Sequence, residues 1–430
     1  MFNRFRLMPA TAMAAVLGLA LMAPATPAAA KEKPKKQETK KGGMSASKAF
    51  SPAAKKMMDA TAAKDAAALQ AALTEGQSTA TTAEDKYLLA NYQLQLGILN
   101  KDTALQAQGL DVMIDSGITP PESIAVYNFF SGNFAYGAKN YAKAIQRLEA
   151  ARAAGSTEAA LPAMLMDSYI NAGQVDQGWA LAKAAIEADR AAGKRPSEEL
   201  FVRPAQAFQK ANRTNDMLEA LSMRVQDYPA PATWRNLLYI MLQQAGGDKD
   251  LNLDVLRLMR ATDSMTDRPE YAEYAALAID AGYPSEVVAI VKQGQAKGVI
   301  PKSDTHFSGI LSSQEPRAAS DAAAVTADAS KPATLSNPKT ARATADALVG
   351  NGQAAKAIPL YEAALMAGGG SDPLVVYRLG VAQALAGQND AALASFAKVQ
   401  GPRQRLSQLW TIHVKSKAAP AAAAAPATGS

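Results

Sequence analysis

The chain has 430 residues, 48% of them apolar but 6% aromatic, with 45 Lys and Arg against 39 Asp and Glu and no Cys. The apolar share excludes a disordered chain, and the lack of Cys excludes disulfides, thiolate metal sites, a Cys nucleophile and a bacterial lipid anchor. The formal charge of +6 belongs to the N-terminus: Arg4 and Arg6 supply two positive charges and residues 31–47 four more, so residues 48–430 sum to zero, unlike the basic surface of a nucleic-acid binder.

Residues 1–30 place Arg4 and Arg6 ahead of an apolar run from Ala10 to Ala23, then Pro24, Pro27 and the small residues Ala28 to Ala30. Those are the parts of a secretory signal peptide, with cleavage expected after Ala30. The run is shorter than the roughly 20 residues that span a bilayer. Phe5 separates the arginines, so the signal is not of the twin-arginine kind. Export combined with this composition fits a Gram-negative periplasm best, and secretion from a eukaryote stays open. Residues 31–47 read as a basic disordered arm, with a weak contact to anionic lipid or cell-wall polymer as the alternative.

Beyond the arm, abundant Ala with few aromatics is the composition of close-packed helices, and the fold class read from it is all-α. Residues 52–76 read as a terminal helix pair. In residues 122–155 a first helix, Glu122 to Gly137, carries Tyr127, Phe130 and Phe134 around Gly132, which admits a close neighbour. A second helix spaces Tyr141, Ala144, Ile145, Leu148 and Ala151 by three and four, with charged residues between them and Gly155 as the stop. The turn recurs 34 residues after Lys139 at Gly173, and Gly352 and Gly387 are 35 apart. Such a period belongs to a two-helix solenoid unit. Between Ser312 and Lys339 the helical period gives way to a sequence rich in Ala, Ser, Asp and Pro, which reads as a linker. Residues 340–415 then form a C-terminal helical pair with a last helix near Arg403 to Val414, and residues 416–430 form a disordered tail.

In these turns and helices the chain resembles the tetratricopeptide-repeat family. Leu379 and Gly380 match its Leu-Gly pair, Gly387 its turn, Ala392 its small residue and Phe396 its aromatic; Gly352, Ala357, Tyr361 and Ala364 match in the unit before, and Gly132, Ala144, Leu148 and Ala151 around residue 140. Weaker units occupy residues 84–117, 198–229, 231–262 and 268–298. Most units lack the family's Trp, and the step from Gly173 to Asn212 stretches to 39 residues. A generic bundle of Ala-rich hairpins is the alternative. The resemblance implies a right-handed solenoid of two-helix repeats, a long N-terminal array over residues 48–311 followed by the short C-terminal repeat pair. It also implies that first helices line an inner groove that binds a protein or peptide partner. Carried across, the groove positions are Asn91, Gln95, Phe129, Asn133, Tyr136, Asp167, Asn171, Gln206, Arg235 and Tyr239. For Phe129 and Tyr136 the alternative is packing between hairpins. The family's carboxylate clamp needs several Lys and Arg, and these positions are mainly Asn and Gln.

Catalytic signals are weak. His306 has Asp304, Ser303 and Ser308 nearby, but in a loop-like stretch without a nucleophile elbow. His413 has no second ligand at metal spacing, and residues 367–373 lack the Lys and Ser/Thr of a P-loop, reading instead as a helix stop followed by a cap at Asp372 and Pro373. The expectation is therefore a non-enzymatic exported scaffold without cofactor or metal, with envelope assembly as one setting for it. The alternative is a cell-wall glycan-binding module, for which Trp179, Trp234 or Trp410 would have to be exposed.

Overall fold

The computed structural model describes residues 44–418, and the signal segment, the arm as far as residue 43 and the tail from residue 419 lie outside these. The described residues are helical hairpins with no strand among them, forming two compact units that divide between Ala211 and Asn212. Unit 1 contains α1 (Ser51–Ala62), α2 (Ala66–Gln77), α3 (Ala83–Leu99), α4 (Thr103–Asp115), α5 (Pro121–Gly137), α6 (Tyr141–Ala153), α7 (Leu161–Asn171), α8 (Val175–Ala191) and α9 (Glu199–Lys210). Unit 2 continues with α10 (Thr214–Asp227), α11 (Pro231–Ala245), α12 (Lys249–Ala261), α13 (Arg268–Asp280), α14 (Pro284–Ala296), α15 (Thr305–Asp328), α16 (Pro332–Ser336), α17 (Pro338–Gly350), α18 (Ala354–Ala367), α19 (Pro373–Leu385), α20 (Asn389–Phe396) and α21 (Gln404–Ala418). Within each unit nearly all consecutive helices pack on one another, and in unit 1 the first helices α5, α7 and α9 also touch in series. This is the two-helix repeat architecture that the resemblance implies.

Eight of the described hairpins share one turn. The first helix ends, one residue enters the left-handed region, and the next caps the second helix. That residue is Lys64, Lys101, Lys139, Gly173, Asn212, Gly282, Gly352 or Gly387, with φ between 54° and 82°. The following N–H reaches back to the helix it leaves, as from Asn140 to Ala135 O and from Gln174 to Tyr169 O, both at 2.9 Å. Caps then restart the chain: Asp65, Asp102 and Asn140 each accept from the first turn of the second helix. In α3 a capping box joins Thr82 and Asp85.

Packing follows from small residues at the contacts. Ala144, Leu148 and Ala151 of α6 are fully buried, and a Cβ on Gly132 of α5 would come within 2.7 Å of Leu148 Cγ. In the last repeat Gly380 stands in the same relation to Phe396. Burial of each Leu or Phe contributes about 1.5–3 kcal/mol, so layered Ala, Leu and aromatic contacts hold these hairpins without a disulfide.

Three expectations are corrected. The linker expected over residues 312–339 is helical: α15 runs unbroken through Pro316, α16 follows, and α17 begins at Pro338. Its inner stripe, Ile310, Leu311, Gln314, Ala318, Asp321, Ala322 and Val325, keeps helical spacing and is half-buried or buried, but small and polar residues make up most of it. Val325 and Ala329 pack on the core around Ala341, Leu348 and Tyr361. At the N-terminus residues 44–47 are fixed rather than part of a loose arm, since Ser47 N donates to the buried Asp85 Oδ1 at 2.8 Å. At the other end α21 carries residues 416–418 of the expected tail.

Candidate partner-binding face

The left-handed turn residue supplies a register for comparing first helices. Gln95, Asn133, Asp167 and Gln206 each precede their own turn residue, Lys101, Lys139, Gly173 and Asn212, by the same number of positions. They are equivalent sites on α3, α5, α7 and α9. Their surroundings differ: Gln95 and Gln206 are half-buried, whereas Asn133 and Asp167 are buried.

Asp167 is the centre of a ladder that crosses three first helices. Its Oδ2 accepts from Tyr136 OH of α5 at 2.5 Å and from Asn171 Nδ2 at 2.9 Å, while Oδ1 accepts from Arg203 Nη1 of α9 at 3.2 Å. Arg203 Nε also donates to Glu199 Oε2 at 2.6 Å. Burial, followed by the hydrogen bond to Asp167, pushes the Tyr136 hydroxyl well above its ordinary range. For Arg203 burial acts downward, but Glu199 and Asp167 outweigh it and hold the guanidinium above its usual value. The ladder fixes Tyr136 and Asn171 in place and compensates the charge of Asp167 internally.

Of the other groove candidates in unit 1, Asn91 is half-buried on α3 and Asn171 is exposed at the end of α7. Asn91, Gln95 and Gln206 make no side-chain hydrogen bond among the described residues. Phe129 and Asn133 need correction. Phe129 has no exposed surface, and it packs edge-on against Phe130 at 5.6 Å inside the core that includes Tyr87, Leu94 and Leu148. Asn133 is 2% exposed and its Oδ1 lacks a hydrogen-bond partner. Both belong between hairpins.

In unit 2, Arg235 and Tyr239 lie on α11. Tyr239 is 45% exposed with the Arg235 guanidinium 5.6 Å from its ring, and Arg235 donates to Glu270 Oε1 at 2.9 Å and to Asp267 Oδ2. Arg203, Glu199, Asp267 and Glu270 escaped the sequence reading. Their signal was a complementary charge about one repeat away: Arg203 follows Asp167 by 36 residues and Glu270 follows Arg235 by 35.

Asp304 and residues 367–373, which could support other chemistry, have structural tasks. Asp304 caps α15, accepting from His306 N and Phe307 N, and binds Arg268 at 2.7 Å; that bond holds its carboxyl down at about 2. Residues 367–373 stop α18, with Gly369 and Gly370 at positive φ, and Asp372 Oδ1 accepts from Leu374 N at 2.9 Å. Trp179, Trp234 and Trp410 are all buried, which removes the sugar-stacking surface that the glycan alternative required. No group of three potential metal ligands and no helix long and apolar enough to cross a membrane occurs among the described residues.

Unit 2 also holds a buried ionic cluster. Arg257 makes paired hydrogen bonds to Glu286 at 2.9 and 2.8 Å, Arg378 donates to Asp346 at 2.5 Å, and Arg403 donates to Asp254 at 2.7 Å. Burial disfavours the Glu286 charge, but Arg257 outweighs it and keeps the carboxyl below its usual range. Each carboxylate here has a guanidinium partner, so removal of either member of a pair would leave a buried charge uncompensated.

No protein-family model matches the chain, and no curated protein matches it. Among solved structures it is similar to the TPR2AB-domain:pHSP90 complex of yeast Sti1, with 15% identity and a TM-score of 0.25 over 68% of this chain and 99% of that one. It is also similar to Naa15/Naa10 bound to HypK-THB, with 11% identity and a TM-score of 0.37 over 86% of this chain and 65% of that one. Both TM-scores are low, and the repeat architecture rests on the hairpins themselves.

Proposed function

We propose that this chain is an exported, non-enzymatic scaffold that holds a polypeptide along the first helices of its repeats and serves envelope assembly. The observation that carries the reading is the pair Gln95 and Gln206, equivalent in register, half-buried, and without side-chain hydrogen bonds among the described residues. Asn91 and the exposed Asn171 add two more amides on the same set of helices. An amide both donates and accepts, so each of these side chains can pair with the backbone of an extended peptide. Compensation of Asp167 by Arg203 suits a neutral segment better than an acidic terminus.

Export is part of the proposal and rests on the pattern of residues 1–30; a weak contact of the basic arm with anionic lipid or wall polymer goes with it. The test is a Gln95→Ala, Gln206→Ala double variant. Neither side chain belongs to the core, so helix content should be kept and thermal stability should change by no more than about 1 kcal/mol. The variant is expected to lose the polypeptide that the wild-type protein captures from detergent-treated envelopes. Unchanged capture would move the site elsewhere, with the C-terminal repeats the next place to look.

A further inference from the structure

The terminal helix α21 packs against α10, α19 and α20 through a face that includes the buried Leu406, Leu409, Trp410 and Val414. His413 lies in that face and is 7% exposed. Its ring stands edge-on to two indoles, Trp410 at 5.6 Å on its own helix and Trp234 at 6.2 Å on α11. No hydrogen bond to the ring is found among the described residues, whereas Trp410 beside it donates to Tyr377 OH at 3.1 Å. A neutral imidazole suits such a site, and an imidazolium there would be a buried charge without a counterion.

We propose that His413 is an acid-sensitive latch, which releases α21 from its seat on α10, α19 and α20 beside Trp234 when its ring takes up a proton. The surrounding charges give that proton little support. On its own helix the cations are Arg405, Lys415 and Lys417, and Lys417, one turn away, opposes a further positive charge. On α10, Glu219 acts on Arg405, Asp216 is bound to Arg213, and Arg224 and Asp227 sit in the last turn. Arg235 of α11 and Arg378 of α19 are bound to Glu270 and Asp346, and Asp390 of α20 is exposed. Burial first, and then Lys417, lower the His413 pKa from 6.5 to about 4. Because the closed-state value is the lower one, the latch is fully engaged above pH 6.5 and weakens as the pH falls towards 4. Tenfold per pH unit, that difference shifts the opening equilibrium of α21 by about a hundredfold across the interval. Release would uncover the apolar face of α21 and its seat beside Trp234, turning a closed end of unit 2 into a sticky one.

The experiment is hydrogen exchange read by mass spectrometry on the full chain at pH 7, 5.5 and 4, expressed as protection factors so that the intrinsic pH dependence is removed. Protection of residues 404–418 should fall about a hundredfold towards pH 4, with that of α13 retained. In His413→Phe, which keeps a ring and cannot take a proton, the fall should be absent. His413→Gln serves the same purpose if Phe does not fit the seat. Constant protection of α21 in the wild-type protein, or an equal loss in both variants, would overturn the proposal.

Discussion

Arg403 Nε donates to Asp254 Oδ2 at 2.7 Å across 149 positions of sequence, so the residue preceding α21 is bound to the middle of α12. Asp254 is 1% exposed and also receives Arg257 at 3.2 Å. Removal of its carboxylate would leave Arg403 and Arg257 without that hydrogen-bond partner and Arg378, whose Nε lies 3.9 Å from it, without that counter-charge. Asp254→Ala is expected to lower the stability of unit 2 by about 3–5 kcal/mol in chemical denaturation, whereas Lys56→Ala, which breaks the exposed pair with Glu75, should cost less than about 1 kcal/mol. Equal effects of the two substitutions would show that the cluster is not what holds this end together.

The turn residues give a second expectation. Lys64, Lys101 and Lys139 occupy a left-handed position that other hairpins fill with Gly, as at Gly173 and Gly352. A Cβ there is strained, while Gly adds chain entropy to the unfolded state. Relief of the strain outweighs the added entropy, and Lys139→Gly should leave stability unchanged or raise it by up to about 1 kcal/mol. Thermal unfolding decides the point, and a clear loss would mean that Lys139 makes contacts beyond the turn.

Phe129 separates core from face. With no exposed surface it should behave as a packing residue, so Phe129→Ala is expected to cost about 3–5 kcal/mol and to lower helix content near its melting temperature. Retained stability combined with loss of a captured partner would instead return Phe129 to the binding face.

The period of the fold was legible wherever glycine marked the turn, at Gly173, Gly352 and Gly387, and blurred where Lys or Asn takes the same backbone conformation. Helix α15 was hidden for a different reason: its inner stripe of Ala318, Asp321, Ala322 and Val325 carries little hydrophobic contrast. Limited proteolysis should therefore spare residues 312–328 until the flanking helices open, and a first cut there in the native protein would contradict the helix. At the candidate face, equivalent positions could be aligned from sequence but their burial could not, because Asn133 and Gln206 share a register and yet one is buried and the other half-buried. Arg203 was invisible until Asp167, one repeat away, was seen to be its partner.

Export has a test of its own. Cleavage after Ala30 makes Lys31 the first residue of the mature protein, and mass spectrometry of the envelope fraction should find that terminus. An intact segment from Met1 to Ala30 would exclude cleavage there.

The most direct test of the scaffold reading is site-specific photo-crosslinking in cells. A photoreactive residue at Gln206, on the first-helix face of α9, is compared with one at Glu187, exposed on the second helix α8. A discrete polypeptide adduct is expected from position 206 and none from position 187. Adducts from 187 alone, or none from 206 while the protein is folded and abundant, would contradict the scaffold reading.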